Sequence, residues 1–124
     1  MGFNSCRIER LLKHLERSGV SQMLVTDANS IYYLTGKMIQ SGSRLMALLV
    51  REDGNHRLFL NQIFPVPEEL GIEVTQFSDT DNVDELIACC TDHTLTLGID
   101  QKMPAGHLLA LQELGAGAAY RNTS

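Results

Sequence analysis

Histidines are the side chains best suited to acid–base chemistry near neutral pH, and this chain has four of them. His14, His56, His93 and His107 are far apart, and none has the H-x-x-x-H or H-E-x-x-H spacing that holds a metal ion. Asp92 directly precedes His93, but the pair falls in the turn after a predicted helix. We therefore expect surface or helix-capping roles for the histidines rather than catalytic ones.

The serines, glycines and cysteines do not form a recognisable site either. Ser41-Gly42-Ser43 lacks the G-x-S-x-G surroundings of an activated serine, and residues 115–117 do not form a G-x-G-x-x-G dinucleotide loop. Cys6, Cys89 and Cys90 show no C-x-x-C spacing. The adjacent pair could form a vicinal disulfide or share a metal ion, but burial as small apolar side chains is the simpler expectation. The sequence thus predicts no catalytic and no metal-binding residue.

Length and composition favour a single soluble domain. The chain has 124 residues, of which 44% are hydrophobic, and this is enough for a single core. The net charge of -5, with acids and bases interspersed, argues against nucleic-acid binding. No apolar run approaches the roughly 20 residues that span a bilayer, and no signal segment opens the chain. We expect a cytoplasmic protein without membrane contact.

Apolar spacing divides the chain into alternating helices and strands. Ile8, Leu11, Leu12 and Leu15 share one face of a first helix, which Gly19 ends. Further on, the pattern predicts strands at 23–26, 45–50, 56–60, 72–77, 95–99 and 118–121, with helices at 83–90 and 104–114. Such alternation, together with the hairpin between 45–50 and 56–60, predicts a mixed sheet with helices on both faces.

The segment from Asp27 to Gly36 joins the first predicted strand to a short helix. Asp27, Asn29 and Ser30 carry side-chain oxygens that can accept hydrogen bonds from the unpaired amides at a helix start. Gly36 can adopt the left-handed conformation that ends a helix. The segment therefore predicts a strand-turn-helix corner.

Many α/β domains have a strand-turn-helix corner, but the residue sequence of this one is more specific. It resembles the D-x-x-N-I-x-Y-L-T-G segment of the creatinase, prolidase and aminopeptidase P family. Residues 7–20 resemble the opening helix of that family, and residues 21–26 resemble its first strand. The hairpin is similar to the family's E-R-L-x-A-L-L-V and L-F-V segments. Leu97-Gly98-Ile99-Asp100 is similar to its L-G-I-E strand. The resemblance covers nearly the whole chain, in order.

This resemblance implies a fold for this chain and assigns catalysis to a second domain. The fold would be one N-terminal domain over residues 1–124, a three-layer α-β-α domain with a mixed sheet of about five to six strands and ribonuclease H-like topology. Family members hydrolyse bonds next to proline, or creatine, with a second, C-terminal domain of the pita-bread fold. In the peptidases, that domain binds two divalent metal ions of the manganese, zinc or cobalt type. No residue of this chain matches those ligands.

The resemblance also implies the expected activity and partners. The parent protein would be a metal-dependent Xaa-Pro dipeptidase acting on small proline-containing peptides. This domain alone would bind no catalytic metal and would be inactive. Its partners would be its own C-terminal domain and a second subunit, since family members form homodimers in which one N-terminal domain covers the other subunit's active site.

Arg44 is the residue to which the resemblance assigns a binding role. It matches the arginine of the family's E-R-L segment, which approaches the substrate of the neighbouring subunit, and a guanidinium can bind a peptide carboxylate with two hydrogen bonds. Ser43 stands where the family often has an acid, and Lys37 where it often has an aromatic residue. Of Tyr32 and Tyr33, we expect one in the core and the other pointing toward this loop.

Other functions remain open from the sequence. The chain could be a free-standing α/β small-molecule-binding module, or a creatinase-like relative without hydrolase activity. A nuclease of this topology would need a cluster of carboxylates, of which the sequence gives no sign. The gene downstream distinguishes the first two from a peptidase, because a peptidase continues for a second domain of some 230 residues.

Overall fold

The structure, a computed structural model, describes residues 5–37, 39, 45–66 and 71–122. Within these residues, helices and strands alternate as the sequence predicts. Their bounds are α1 Ser5–Arg17, β1 Gln22–Val25, α2 Ala28–Thr35, β2 Ala47–Arg51, β3 Arg57–Asn61, β4 Glu73–Phe77, α3 Val83–Cys90, β5 Leu97–Ile99, α4 Ala105–Leu114 and β6 Tyr120–Asn122. No helix in the described part of the chain is long and apolar enough to cross a membrane.

The described strands form one six-stranded mixed sheet in the order β4-β3-β2-β1-β5-β6. β2 is antiparallel to both of its neighbours, and the other adjacent pairs are parallel. Consequently β1, β5 and β6 finish at the same end of the sheet, and β2 begins there. We call this the carboxyl end of the sheet. The arrangement confirms the predicted fold class of a three-layer α/β domain.

The central strands are apolar throughout because both faces of the sheet are covered. Met23 and Val25 belong to the core cluster that contains Ile31 of α2, whereas Leu24 between them belongs to the cluster that contains Ile87 of α3. This alternation is the two-residue period of a strand. It places α1 and α2 on one face and α3 and α4 on the other.

Helix α1 packs as its pattern predicts. Ile8 and Leu15 are buried in the core, and Leu11 and Leu12 pack partly buried against it. Two turns of helix separate Ile8 from Leu15, so both side chains face the sheet.

Several strands are shorter than predicted, or displaced by a residue or two, for identifiable reasons. β1 ends at Val25 rather than at residue 26, because the amide of Thr26 donates to the carboxylate of Asp100 instead of to a neighbouring strand. β5 begins at Leu97 because Leu95 is in a turn, with its amide donating to the carbonyl of Asp92. The predicted hairpin is confirmed, with β2 running one residue beyond the predicted end.

The expected burial of the cysteines is wrong. Cys6 and Cys89 are exposed and Cys90 is half-buried, and all three are free thiols. In α3 the inward face is taken by Val83, Ile87 and Ala88, which leaves Cys89 on the outer face of the helix.

Gly117 provides a test of this packing. A Cβ added there would lie 2.8 Å from the Cβ of Leu97 and 3.1 Å from its amide nitrogen. We predict that Gly117→Ala lowers the free energy of unfolding by about 1–3 kcal/mol, because the backbone must move to relieve the overlap. Urea denaturation measures the change.

Gly106→Ala is the matched control, since a Cβ at Gly106 meets no atom within 4 Å and the position is helical. This variant should be neutral, or more stable by about 0.4–1 kcal/mol. Equal stability of the two alanine variants would contradict the close approach of residue 117 to β5.

Candidate functional site

The predicted strand-turn-helix corner is present at the carboxyl end of β1. Helix α2 has Asp27 at its N-cap position and ends at Gly36, whose φ of 73° is left-handed. The amide of Gly36 donates to the carbonyl of Tyr32 over 2.8 Å. The buried hydroxyl of Thr35 donates to the carbonyl of Ile31 over 2.7 Å. The glycine stop predicted from the sequence is confirmed.

The side chains at the start of this helix act differently from the prediction. The carboxylate of Asp27 caps no amide of α2 and instead accepts a 2.9 Å hydrogen bond from the hydroxyl of Ser30. Meanwhile, the amides of Thr26 and Asp27 itself point away from the helix, toward β5. The corner is therefore fixed from outside α2.

Asp100 supplies that external contact. The residue is only 6% exposed. Its carboxylate accepts three hydrogen bonds, from the amides of Thr26 and Asp27, each over 2.8 Å, and from the Thr26 hydroxyl over 2.6 Å. A buried carboxylate is tolerated when its oxygens are hydrogen-bonded in this way. Asp100 thus ties the end of β5 to the end of β1 and sets the direction in which α2 leaves the sheet.

This role of Asp100 was not predicted from the sequence, although the residue lies in the segment Leu97-Gly98-Ile99-Asp100 that resembles the family's L-G-I-E strand. The signal available was an acid directly after an apolar strand, Leu97–Ile99, in a chain whose first strand is also followed by a polar turn. Carboxyl ends of parallel neighbouring strands meet at one end of a sheet. What the sequence could not give was the pairing of β1 with β5 across more than 70 residues.

Neither tyrosine of α2 is in the core, so the expectation that one would be buried is wrong. Tyr32 is 46% exposed and Tyr33 49% exposed, because the inward face of α2 is occupied by Ile31, Leu34 and Thr35. The guanidinium of Arg7 lies 4.3 Å from the centre of the Tyr33 ring. It also donates to the Tyr33 carbonyl over 2.6 Å, which joins α1 to α2.

A cleft of about 560 Å³ opens beside the corner, between α1, α2 and the loop after β5. This volume lies within the range of about 300–1,000 Å³ that is usual for small-molecule sites. The apolar part of its lining comprises Leu11, Met23, Val25 and Leu34. Charged side chains also line it, namely Arg7, Arg10, Asp27, Asp100 and Lys102.

Arg44, the one residue predicted to bind substrate, lies outside the described residues. The described residues that follow it are Leu45 and Met46, of which Met46 is buried. In the register of the sheet Val25 pairs with Leu48, so Met46 lies beyond the last residue of β1. The chain therefore enters β2 at the carboxyl end of the sheet.

The histidines are not brought together. His107 Nδ1 lies 2.8 Å from Asp84 Oδ1, which joins α4 to α3. His93 Nε2 lies 2.7 Å from the carbonyl of Ala88 near the end of α3, the capping role expected from the sequence. Among the residues that the structure describes, no group of three or more His, Cys, Asp or Glu side chains could hold a metal ion.

His56 is the histidine whose titration the fold perturbs. Its Nδ1 accepts a 3.2 Å hydrogen bond from the amide of Arg51, which requires the unprotonated nitrogen. Burial lowers the pKa of His56 below its ordinary value of 6.5, and the nearby carboxylate of Asp53 only partly opposes this effect. The folded hairpin thus favours neutral His56.

This depressed pKa predicts a pH dependence of stability. Near pH 6.5 the unfolded chain binds a proton at His56 that the folded chain resists, so the free energy of unfolding falls as the pH drops below 6.5. Above that pH both states are neutral and the contribution is constant. Urea denaturation at several pH values should show a shallower fall for His56→Gln. His14→Gln, which alters an exposed histidine, should keep the wild-type slope, and equal slopes for the two variants would contradict the account.

The role of Asp100 predicts a graded loss of stability. Asp100→Ala leaves two amides and a hydroxyl without their acceptor and should cost about 2–4 kcal/mol. Asp100→Asn should cost less, since an amide oxygen can still accept from both backbone amides and the amide NH₂ can donate to the Thr26 hydroxyl. Urea denaturation, with the exposed Glu113→Ala as control, measures this order. If Asp100→Ala were as stable as Glu113→Ala, the Asp100 carboxylate would not be the group that stabilises the corner.

Comparison with known proteins identifies the family. A family model described as the Creatinase/Prolidase N-terminal domain matches residues 7–124. The fold is similar to that of the N-terminal domain of an X-Pro dipeptidase from Streptococcus pyogenes, at 19% identity and a TM-score of 0.76, over 96% of this chain and 93% of that one. A search of curated proteins finds no significant match.

Two further structures differ in how much of their own chain the match covers. A proline dipeptidase structure from Streptococcus agalactiae matches at 20% identity and a TM-score of 0.79, over 96% of this chain and 93% of that one. A recombinant prolidase from Thermococcus sibiricus matches at 25% identity and a TM-score of 0.75, over 94% of this chain but only 33% of that one. The chain therefore spans a third of the longer relative. With the family model matching almost all of its length, the chain belongs to the Creatinase/Prolidase N-terminal domain family.

Proposed function

We propose that the chain is the non-catalytic N-terminal domain of a proline-specific metallopeptidase of the Xaa-Pro dipeptidase type. The observation that carries this proposal is the family match over residues 7–124. Structures of similar fold described as an X-Pro dipeptidase domain, a proline dipeptidase and a prolidase support it. The domain would pair subunits, narrow the entrance to the active site and contact the substrate.

The chemistry of hydrolysis would belong to a domain that follows this one. Two divalent metal ions, of the manganese, zinc or cobalt type, would be held there. The side chains described in this chain do not fit such a pair of ions, because they form no cluster of potential ligands. No step of the reaction is therefore assigned to residues of this domain. The three cysteines of this chain are free thiols, which supports the proposed cytoplasmic location.

The sheet topology supports a position for Arg44 near the active site. β6 is parallel to β5 and finishes at the carboxyl end of the sheet, so a domain following Asn122 would be joined at that end. Leu45 leads into β2 at the same end. In a homodimer, this end of one domain would cover the active site of the other subunit.

Arg44 would bind the carboxylate of a short peptide there. A guanidinium offers two parallel N–H donors that match the two oxygens of a carboxylate, which a lysine cannot do. Recognition of a free carboxylate close to the scissile bond would also select dipeptides over longer peptides. The preference for dipeptides would thus follow from the position of the Arg44 guanidinium.

A second function has one observation in its favour, the cleft beside the corner. A free-standing α/β small-molecule-binding module would use such a cleft without any hydrolase domain. The parent gene separates the two functions. A reading frame that continues for a second domain with two aspartates, a histidine and two glutamates as metal ligands supports the peptidase, whereas a stop after Ser124 supports the module.

Mixed dimers of the parent protein test the role of Arg44. We predict that an Arg44→Ala homodimer loses most of its activity on Xaa-Pro dipeptides. Mixing Arg44→Ala subunits with subunits whose metal ligands are removed should restore about a quarter of the wild-type activity, because half of the dimers then hold one complete site made from both chains. Dipeptidase assays after subunit exchange measure the recovery.

Two controls define this experiment. Arg17→Ala removes an exposed arginine of α1 and should leave activity unchanged. Arg44→Lys should remain impaired, since lysine keeps the charge without the paired donors. If mixed dimers stay as inactive as the Arg44→Ala homodimer, the contact across subunits does not exist.

A further inference from the structure

We infer that the cleft between α1, α2 and the loop after β5 binds a small carboxylate with an apolar body, such as a medium-chain or aromatic carboxylic acid. This inference does not depend on the proposed function, because it rests on the shape and charge of residues that the structure describes.

The floor of the cleft is apolar and rigid. Met23 and Val25 lie on the buried strand β1, and Leu34 is buried in α2, all within the core cluster on this face of the sheet. Leu11 of α1 is partly buried against the same cluster. Because core side chains are fixed by close packing, this surface is formed before any ligand arrives and favours an apolar body.

Two cations on the lining are available to a ligand. Arg10 and Lys102 are exposed, and neither makes a hydrogen bond or ion pair to another residue in the described ranges. One is on α1 and the other in the loop after β5, so they approach the cleft from different elements. A single carboxylate bound between them would accept hydrogen bonds from both.

The acids on the lining are already engaged. All three hydrogen bonds to Asp100 come from the corner, and Asp27 accepts the hydroxyl of Ser30. Arg7 is likewise held over the Tyr33 ring and bonded to the Tyr33 carbonyl, so it acts as a fixed wall. The lining carries three cations, Arg7, Arg10 and Lys102, against these two carboxylates, so its net charge is positive and favours an anionic head over an ammonium group.

A carboxylate fits this arrangement better than a bare inorganic anion. The apolar lining contributes to binding only when the ligand has apolar surface to bury. The volume of about 560 Å³ is larger than a phosphate or acetate ion would fill. An apolar body of about five to ten carbons, an order-of-magnitude match to that volume, would cover the floor while its carboxylate meets Arg10 and Lys102.

Titration of the 124-residue chain tests the inference. Hexanoate and phenylacetate are added to ¹⁵N-labelled protein, and backbone amide shifts are followed by NMR. We expect saturable shifts at Leu11, Val25, Leu34 and residues 100–102, with a Kd on the order of 1 mM. Acetate, phosphate, hexanol and hexylamine should each bind at least about tenfold more weakly, because each lacks the apolar body or the anionic head.

Variants test the two cations directly. Arg10→Ala/Lys102→Ala should weaken hexanoate binding by roughly tenfold, while Lys13→Ala, an exposed cation of α1 that does not line the cleft, should leave it unchanged. Native amide dispersion in each spectrum shows that the variant is folded. Equal binding of hexylamine and hexanoate, no saturable shifts, or undiminished binding by the double variant would each overturn the inference.

A second copy of this chain is the competing occupant of the cleft. It would make the same resonances shift on dilution of the protein alone, without added carboxylate. Shifts that depend on protein concentration and are not altered by hexanoate would assign the cleft to self-association and overturn the inference.

Discussion

The contact between Asp100 and the end of β1 is the constraint on which the carboxyl end of the sheet depends. One buried carboxylate accepts from two consecutive amides and a hydroxyl, and so joins strands that are far apart in the sequence. It ends the ladder of β1 at Val25, turns the chain toward α2 and forms part of the wall of the cleft. The end of β1, the direction of α2 and this wall of the cleft therefore all depend on the Asp100 carboxylate.

The layers of the fold were predicted well from the sequence, because a buried face of a helix or strand requires apolar residues at regular intervals. Alternation of Met23, Leu24 and Val25 between two core clusters is the physical counterpart of the continuous apolar run from which β1 was predicted. Strand ends were less accurate, since hydrogen bonds such as that from Thr26 to Asp100 decide them and leave no periodic signal. The cysteines and tyrosines were misplaced because their residue types are compatible with either face of a helix.

The site was predictable only in part. The end of α2 was predicted from Gly36 and is confirmed. The family resemblance assigned a binding role to Arg44, which lies outside the described residues and stays a prediction. The cleft could not be anticipated, because Arg10 and Lys102 are separated by most of the chain and line the same cleft only through the pairing of β5 with β1. Side chains that are far apart in the sequence can be assigned to one site only when the order of the strands in the sheet is known.

Under the proposed function, this domain shapes and covers an active site whose metal ions would be held in another domain. Calorimetric titration of the 124-residue chain with Mn²⁺, Zn²⁺ and Co²⁺, followed by an assay on a Xaa-Pro dipeptide with each metal present, tests it most directly. The account predicts no stoichiometric binding and no hydrolysis. Tight binding of one or two metal ions together with release of proline would contradict it.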